Sequence, residues 1–249
     1  MVSNVAVRSE LEYLHVGAQM CMDTRSGHDG IKQVAPFMAS IPYRNGVVDK
    51  LNSLVSTLEE EFPDLVHYGR KRAAKAYQSA KGSITKPSYS GRIAGTDGQN
   101  VNQLDALANI FSKEAHSGGL SFSVFLPRDL IDRQRPGYVP CLLSGTYLLE
   151  NDELHMSVHF RSQSIIEFGV FDLINIRIMQ EEMTRRFNKI RPASVKEFQP
   201  GALNVLASRI FVHRRVMKIG NNKFSKRDDV LPSWIDTVSR FRLEAGMHT

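Results

Sequence analysis

The chain has little cysteine and no long apolar run. Only Cys21 and Cys141 occur in 249 residues, and no C-x-x-C spacing is present, so the sequence predicts neither a disulfide framework nor a cysteine metal site. Two isolated cysteines favour a reducing compartment, and we expect a cytoplasmic protein. No stretch approaches the ~18 apolar residues of a membrane span. The first fourteen residues include acids and lack an apolar core, so we expect no signal peptide.

Internal repeats and low-complexity tracts are also lacking. Hydrophobic residues make up 42% of the chain and charged residues 23%, which are ordinary globular values and exclude a disordered or fibrous class. The length suits one large domain or at most two small ones, and we expect a single domain over residues 1–249. The net charge of +6 favours an anionic partner, although a solvated basic surface gives the same charge.

The spacing of apolar residues predicts both helices and strands. Helical periodicity covers 9–22, 47–62, 101–115 and, as the longest segment, 171–187. Strand signals cover 120–126, 141–149 and 153–160, and the last two read as a hairpin. The Gly-, Ser- and Pro-rich segment 82–100 predicts a loop, and 202–216 a strand running into a helix. The class is therefore α+β, with a mostly buried sheet and one long core helix.

The segment from Pro140 to Asp172 carries the candidate chemistry. Cys141 follows Pro140, and the pair Arg161-Ser162 begins 20 positions after Cys141, with two predicted strands between and a long helix after. This arrangement resembles the catalytic stretch of the thymidylate synthase family. Weaker similarity extends over roughly residues 75–210. Among the branches of the family, phage deoxycytidylate hydroxymethylases are the most similar, through an Ala-Lys-Gly run, a Gly-Ala-Leu-x-Val pattern and Asp172.

The resemblance implies a fold, a reaction and partners. The fold is thymidylate synthase-like, with a mixed twisted sheet around a long buried helix and a homodimer packed sheet to sheet. The substrate is a pyrimidine nucleotide or nucleoside, and the cofactor is 5,10-methylenetetrahydrofolate. The Cys141 thiolate adds to carbon 6 of the ring and makes carbon 5 nucleophilic toward the folate-bound methylene. Arg161 stabilises the thiolate and grips a phosphate, and Ser162 adds a hydroxyl to the same phosphate.

Four further residues take roles through the same resemblance. Asp172 stands where members acting on uracil have Asn, and a protonated Asp can donate to the ring nitrogen of cytosine and accept from its amino group. Arg25 lies in a Thr-Arg-Ser-Gly segment that resembles the mobile phosphate loop. Glu60, within Glu59–Glu61, matches the catalytic Glu if a short deletion is allowed. Asn204 stands where the family has a sugar-binding His.

Several departures and alternatives accompany these assignments. The paired phosphate arginines of the family fall on 117–120, which contains no arginine. The substrate therefore lacks that phosphate, or other arginines replace the missing charges; the candidates are Arg25, Arg128, Arg133 and Arg135. Cys141 in isolation would be interpreted as a small buried hydrophobe, and its spacing to Arg161, Ser162 and Asp172 reverses that interpretation. Asp172 is equally well interpreted as a helix cap.

Three other functions stay open. They are methylation of a uracil nucleotide, a non-catalytic relative that binds nucleotides, and nucleic-acid binding through 70–72 and 213–215. The last is the weakest, because no recognised motif accompanies those charges.

Overall fold

The α+β class predicted from the sequence is confirmed. The computed structural model describes residues 3–24, 32–80, 87–97, 100–114, 119–131, 139–212 and 230–244. The helices in these ranges are α1 Glu10–Asp23, α2 Val47–Glu61, α3 Pro63–Tyr77, α4 Tyr89–Ala94, α5 Gln103–Lys113, α6 Arg128–Ile131, α7 Gly169–Ile190 and α8 Val230–Glu244. The strands are β1 Ser3–Ala6, β2 Lys32–Val34, β3 Phe37–Ile41, β4 Ser121–Ser123, β5 Leu142–Glu150, β6 Glu153–Phe160, β7 Gln163–Ser164, β8 Gln199–Ala207 and β9 Ile210–Val212.

The strands form two mixed sheets. The larger has the order β1-β3-β8-β6-β5-β4, and the smaller has the order β2-β9-β7. In the larger sheet β1 is parallel to β3 and β8 to β6, whereas the other neighbours are antiparallel. The predicted hairpin is β5–β6, and its turn places Asn151 and Asp152 at φ of 50° and 63°. Asn and Asp tolerate this left-handed backbone, which two-residue hairpin turns require.

The long helix α7 packs on one face of the larger sheet, as the apolar run 171–187 predicts. Most of its side chains are buried, including Arg177, which is 0% exposed. Nη2 of Arg177 lies 2.6 Å from Oε1 of Glu10 in α1 and donates to the carbonyl oxygen of Ile41 at the end of β3. The guanidinium also donates to the carbonyl oxygen of Gly201 in β8. This buried cation therefore joins α7 to α1 and to two strands of the sheet.

Two sequence-based expectations differ from the structure. The segment predicted as a loop contains the helix α4, which is too short for a periodic signal and begins where the Ser88 side chain accepts from the Gly91 N–H. The segment 202–216, predicted as a strand running into a helix, is two strands as far as residue 212, beyond which it lies outside the described ranges. The hydrogen-bonded partners of those strands are β3, β6, β2 and β7. All four are far away in sequence, so local periodicity does not indicate them.

No helix in the described ranges is both long enough and apolar enough to cross a membrane.

Candidate active site

A cavity of about 130 Å³ opens between α3, the residues before β5, and the start of α7. Its polar lining includes Tyr77, Tyr89, Cys141, Ser162, Gln163 and Asp172. A cavity of about 150 Å³ holds one benzene ring. The space is therefore on the scale of a single six-membered ring, with side chains around it that can both donate and accept hydrogen bonds.

Cys141 is half-buried and lines this cavity, so it is not simply a core hydrophobe. It directly precedes β5, and Arg161 and Ser162 directly follow β6. The register of the hairpin pairs Leu142 with Phe160, which brings the two ends together and explains the 20-residue spacing. The Sγ of Cys141 lies 3.7 Å from the Ser162 Oγ and 3.9 Å from Nη2 of Arg161. The three residues predicted to act together are thus adjacent.

The guanidinium of Arg161 is only partly used by the protein. Nη2 of Arg161 donates to the Val139 carbonyl oxygen at 3.2 Å, and the backbone N–H of Arg161 donates to the Cys141 carbonyl oxygen at 2.7 Å. Its Nε is buried and has no hydrogen-bond partner among the described residues. The positive charge therefore lies beside the Cys141 sulfur, with Nη2 of Arg161 3.9 Å from Sγ.

Asp172 lies in the first turn of α7 and is 8% exposed. Its Oδ1 accepts from the Tyr77 hydroxyl at 2.8 Å, and its Oδ2 accepts from Nε2 of Gln163 at 3.1 Å. Burial raises the pKa of the Asp172 carboxyl to about 7, against the opposing effect of these two hydrogen bonds. The helix begins after Phe168 without a side-chain cap. The helix-cap interpretation of Asp172 is therefore wrong.

Gln163 is held from its other side by α1. The hydroxyl of Tyr13 donates to Oε1 of Gln163, so the amide turns its NH₂ group toward Asp172. Gln163 is 1% exposed and Tyr13 is 0% exposed. Burial raises the pKa of Tyr13, and the nearby Asp172 charge raises it further. The sequence analysis missed both residues, and the position of Gln163 directly after the Arg-Ser pair was the available signal.

Two tyrosines form an aromatic wall of the cavity. The rings of Tyr77 and Tyr89 meet edge to face, with 5.1 Å between centroids. Burial raises the pKa of Tyr77, as does the charge of Asp172. The Tyr89 hydroxyl accepts from the Cys141 N–H at 3.1 Å. A flat ring in the cavity therefore meets aromatic surface on this side.

Cations line the cavity, but they are not the arginines that were predicted to replace the missing phosphate arginines. Arg72 and Lys75, both on α3, line it, whereas their neighbour Arg70 forms two 2.7 Å hydrogen bonds with Glu59. Arg128 is directed elsewhere, to the Asp97 carbonyl oxygen at 3.2 Å. The predicted cations Arg25, Arg133 and Arg135 lie outside the described residues. The basic run 70–72 was the sequence signal for Arg72, whereas Lys75 lies outside that run.

The structure does not bring Glu60 or Asn204 to the cavity. Glu60 is exposed on α2, and Asn204 lies on the face of the larger sheet opposite α7, where its Nδ2 donates to the Ser157 Oγ at 3.3 Å. Among the described lining residues Asp172 is the one carboxylate. Across the described ranges no group of three His, Cys, Asp or Glu side chains is placed to hold a metal ion.

Comparison with protein-family models finds no match for this chain, and comparison with curated proteins finds none either.

Proposed function

We propose that this protein transfers a one-carbon unit to carbon 5 of a pyrimidine, in the manner of a cytidylate or deoxycytidylate 5-hydroxymethylase. One observation carries the proposal. A thiol flanked by a guanidinium and a hydroxyl lines the same ring-sized cavity as a buried carboxyl whose pKa is about 7. A nucleophile and a group that can donate and accept at neutral pH are the two functions that this reaction needs at the ring.

The chemistry of the chain's own residues follows from this arrangement. The Cys141 thiolate forms a bond to carbon 6, and the electron pair of the 5,6 double bond moves into the ring, so that carbon 5 becomes nucleophilic. Arg161 stabilises the thiolate before attack. Asp172 holds the nitrogen edge of the base by donating and accepting. Water then takes the proton from carbon 5, the electron pair of that C–H bond restores the 5,6 double bond, and the bond from carbon 6 to sulfur breaks to release the Cys141 thiolate.

The residues at the rim fit the cofactor that the resemblance implies. The cavity has room for one ring, so 5,10-methylenetetrahydrofolate would lie outside it, against Phe168, which lines the rim and packs on Tyr68 with 6.0 Å between ring centroids. Such an aromatic surface suits the flat pterin ring. When bound, the cofactor supplies the one-carbon unit; in a hydroxymethylase, water then completes the product.

Release of tritium from pyrimidines labelled at carbon 5 tests the proposal. Cytosine and uracil compounds are assayed as bases, nucleosides and nucleotides, with and without methylenetetrahydrofolate, and Cys141→Ser serves as the inactive comparison. We expect release that depends on Cys141 and is faster with cytosine compounds. Faster release with uracil compounds, together with a methylated product, would favour the uracil alternative. No release from any of them would overturn the proposal.

A nucleotide-binding relative without catalysis is the second candidate. It is favoured by one observation: Glu60 is exposed on α2, and among the described lining residues no glutamate reaches the cavity. Calorimetry with the same ligands separates the two functions, because a binding module takes up a nucleotide without releasing tritium.

We also propose a homodimer that uses the face of the larger sheet opposite α7. Cross-strand pairing places on this face Met38, Ser40, Ser144, Thr146, Leu148, His155, Ser157, His159, Asn204 and Leu206. None of these ten is Lys, Arg, Asp or Glu, although such residues make up 23% of the chain. The same register places two charged residues, Glu150 and Glu153, on this face, next to the hairpin turn. Depletion of charge is typical of the core of a protein interface. Met38 and Leu148 are 39% and 54% exposed, so a partner sheet would bury apolar surface here.

A further inference from the structure

An isolated carboxylic acid does not distinguish a cytosine edge from a uracil edge. Either oxygen can carry the proton, so the acid can present donor and acceptor in either order. Cytosine offers an acceptor nitrogen beside a donor amino group, whereas uracil offers a donor N–H beside an acceptor oxygen. An enzyme that selects one base through Asp172 therefore needs something that fixes the order.

The surroundings of Asp172 are not symmetrical. Oδ2 faces the amide of Gln163, and Oδ1 faces the Tyr77 hydroxyl. An amide NH₂ can only donate, whereas a hydroxyl can donate or accept. Tyr13 favours one orientation of the amide, because its buried hydroxyl donates to Oε1 of Gln163 and leaves the NH₂ group for Asp172. If the amide turned, the Tyr13 hydroxyl would have to accept, and its own proton would lose this acceptor.

We propose that Tyr13 and Gln163 act as positioning residues that fix the order of donor and acceptor presented by Asp172, and thereby decide between cytosine and uracil edges. The inference rests on the proposed function, since it takes the ligand to be a pyrimidine.

The order follows from where the proton of the neutral acid is stable. Oδ2 already accepts from an N–H group, and a proton on that side would face the Gln163 donor. In the neutral acid the proton is therefore on Oδ1, which donates it to the hydroxyl oxygen of Tyr77. A ligand then meets an acceptor at Oδ2 and a donor at the unit formed by Oδ1 and the Tyr77 hydroxyl. The reversed order would require Gln163 to turn, which the buried Tyr13 hydroxyl opposes.

Tyr13→Phe tests the inference, and Tyr147→Phe is the matched control. Both side chains are buried, at 0% and 1% exposure, but the Tyr147 hydroxyl has no hydrogen-bond partner among the described residues, and Tyr147 does not line the cavity. Calorimetry measures the dissociation constants of matched cytidine and uridine compounds. Without the Tyr13 hydroxyl the amide can turn, so we expect the ratio of the two constants to move toward one by roughly tenfold. We expect Tyr147→Phe to leave the ratio unchanged.

A second measurement requires no ligand. The titration of Asp172 is followed by ¹³C NMR of its labelled carboxyl, in the native protein and in Gln163→Leu. Loss of the Gln163 donor removes a hydrogen bond that favours the charged form, so the titration midpoint should move to higher pH. Among the described residues, the hydroxyls of Tyr13, Tyr77 and Tyr89 also interact with this carboxyl, and the ionisable side chains of Arg72, Lys75 and Cys141 line the same cavity. All of them remain in Gln163→Leu.

The outcomes of the two measurements test the inference and the proposed function separately. An unchanged base ratio in a folded Tyr13→Phe protein, or an unchanged Asp172 midpoint in Gln163→Leu, overturns the inference. A native protein that binds neither pyrimidine overturns the proposed function. If the Asp172 midpoint still moves in that case, the order fixed by Gln163 stands for a ligand of different chemistry.

Discussion

The N–H of Cys141 donates to the Tyr89 hydroxyl at 3.1 Å, although 52 positions separate the two residues. Tyr89 is the first residue of α4, and Cys141 directly precedes β5. The backbone at the cysteine is therefore held from outside its own hairpin. Together with the hydrogen bond from the Arg161 N–H to the Cys141 carbonyl oxygen, this contact fixes where the sulfur enters the cavity.

Cys141→Ser should abolish turnover and leave the fold intact. A hydroxyl is a much weaker nucleophile than a thiolate, and Ser is close in size to Cys, so the cavity keeps its shape. Release of tritium from carbon 5 measures turnover, and circular dichroism with thermal unfolding measures the fold. More than a few per cent of native release in a folded Cys141→Ser protein would sink the assignment of the nucleophile.

Alkylation of thiols provides the control for this variant. Neither cysteine forms a disulfide, and Cys141 is half-buried at the cavity, whereas Cys21 is 0% exposed. The native protein should therefore lose activity when one thiol is alkylated, and mass spectrometry should place the label on Cys141. Equal labelling of both thiols without denaturant would contradict this placement.

The sequence predicts the parts of the site that lie in one continuous segment. The hairpin and the helix after it are local patterns, and the family resemblance within that segment singled out Cys141, Arg161, Ser162 and Asp172. The rest comes from helices distant in sequence. Tyr77 is 95 positions from Asp172, and Tyr13 is 150 from Gln163.

Periodicity shows which face of α1 or α3 is buried, but it does not show which strand or helix that face contacts. The secondary-structure elements also separate into those that the sequence predicts and those that it does not. The long helix and the hairpin were predicted, whereas β9 and α4 are too short for a periodic signal.

Asp172→Asn should make stability less dependent on pH. The pKa of Asp172 rises from 3.8 to about 7 on folding, so between these values the native state binds more protons than the unfolded state. Its contribution to the free energy of unfolding is fully present below about pH 4 and falls as the pH rises through 7, by about 4 kcal/mol in all. The amide introduced by Asp172→Asn would accept from Gln163 and donate to Tyr77, so it would satisfy both partners without a charge.

Denaturant unfolding at several pH values measures this effect. We expect Asp172→Asn to gain stability relative to the native protein as the pH rises from 5 to 8. The exposed Asp236 provides the control, since the free energy of unfolding of Asp236→Asn should change with pH in the same way as that of the native protein. A constant difference between Asp172→Asn and the native protein over this range would refute the raised pKa.

Arg72→Ala with Lys75→Ala should weaken the binding of phosphorylated ligands specifically. Both cations line the cavity, and each charged hydrogen bond to a phosphate contributes roughly 1.5–3 kcal/mol. The preference for a nucleoside monophosphate over its nucleoside should therefore fall at least tenfold. Arg70→Ala, on the same helix but bound to Glu59, should leave the preference unchanged. Calorimetry gives both constants, and an equal preference in all three proteins would show that the phosphate lies elsewhere.

Arg177→Met should destabilise the fold strongly, because it leaves the carboxylate of Glu10 buried without its cation. Glu10 is 1% exposed and lies 2.6 Å from Arg177, and breaking a buried pair from one side costs about 3–5 kcal/mol. The control lies on the same helix: Arg185 pairs with Glu182 at 2.7 Å but is 53% exposed, so Arg185→Met should cost under about 1 kcal/mol. Denaturant unfolding compares the two variants, and equal costs would contradict the role given to Arg177.

Leu148→Lys should convert the proposed dimer to monomers. Leu148 lies on this sheet face and is 54% exposed, so in a dimer it would face the partner sheet, where the ammonium group of a lysine would have to be desolvated. Leu243 on α8 is also 54% exposed, and Leu243→Lys should leave the assembly unchanged.

Sedimentation velocity at micromolar concentration distinguishes dimer from monomer in all three proteins. A native protein that sediments as a monomer, or a Leu148→Lys variant that remains a dimer, would contradict an interface on this face. The sheet would then need another explanation for its ten uncharged positions.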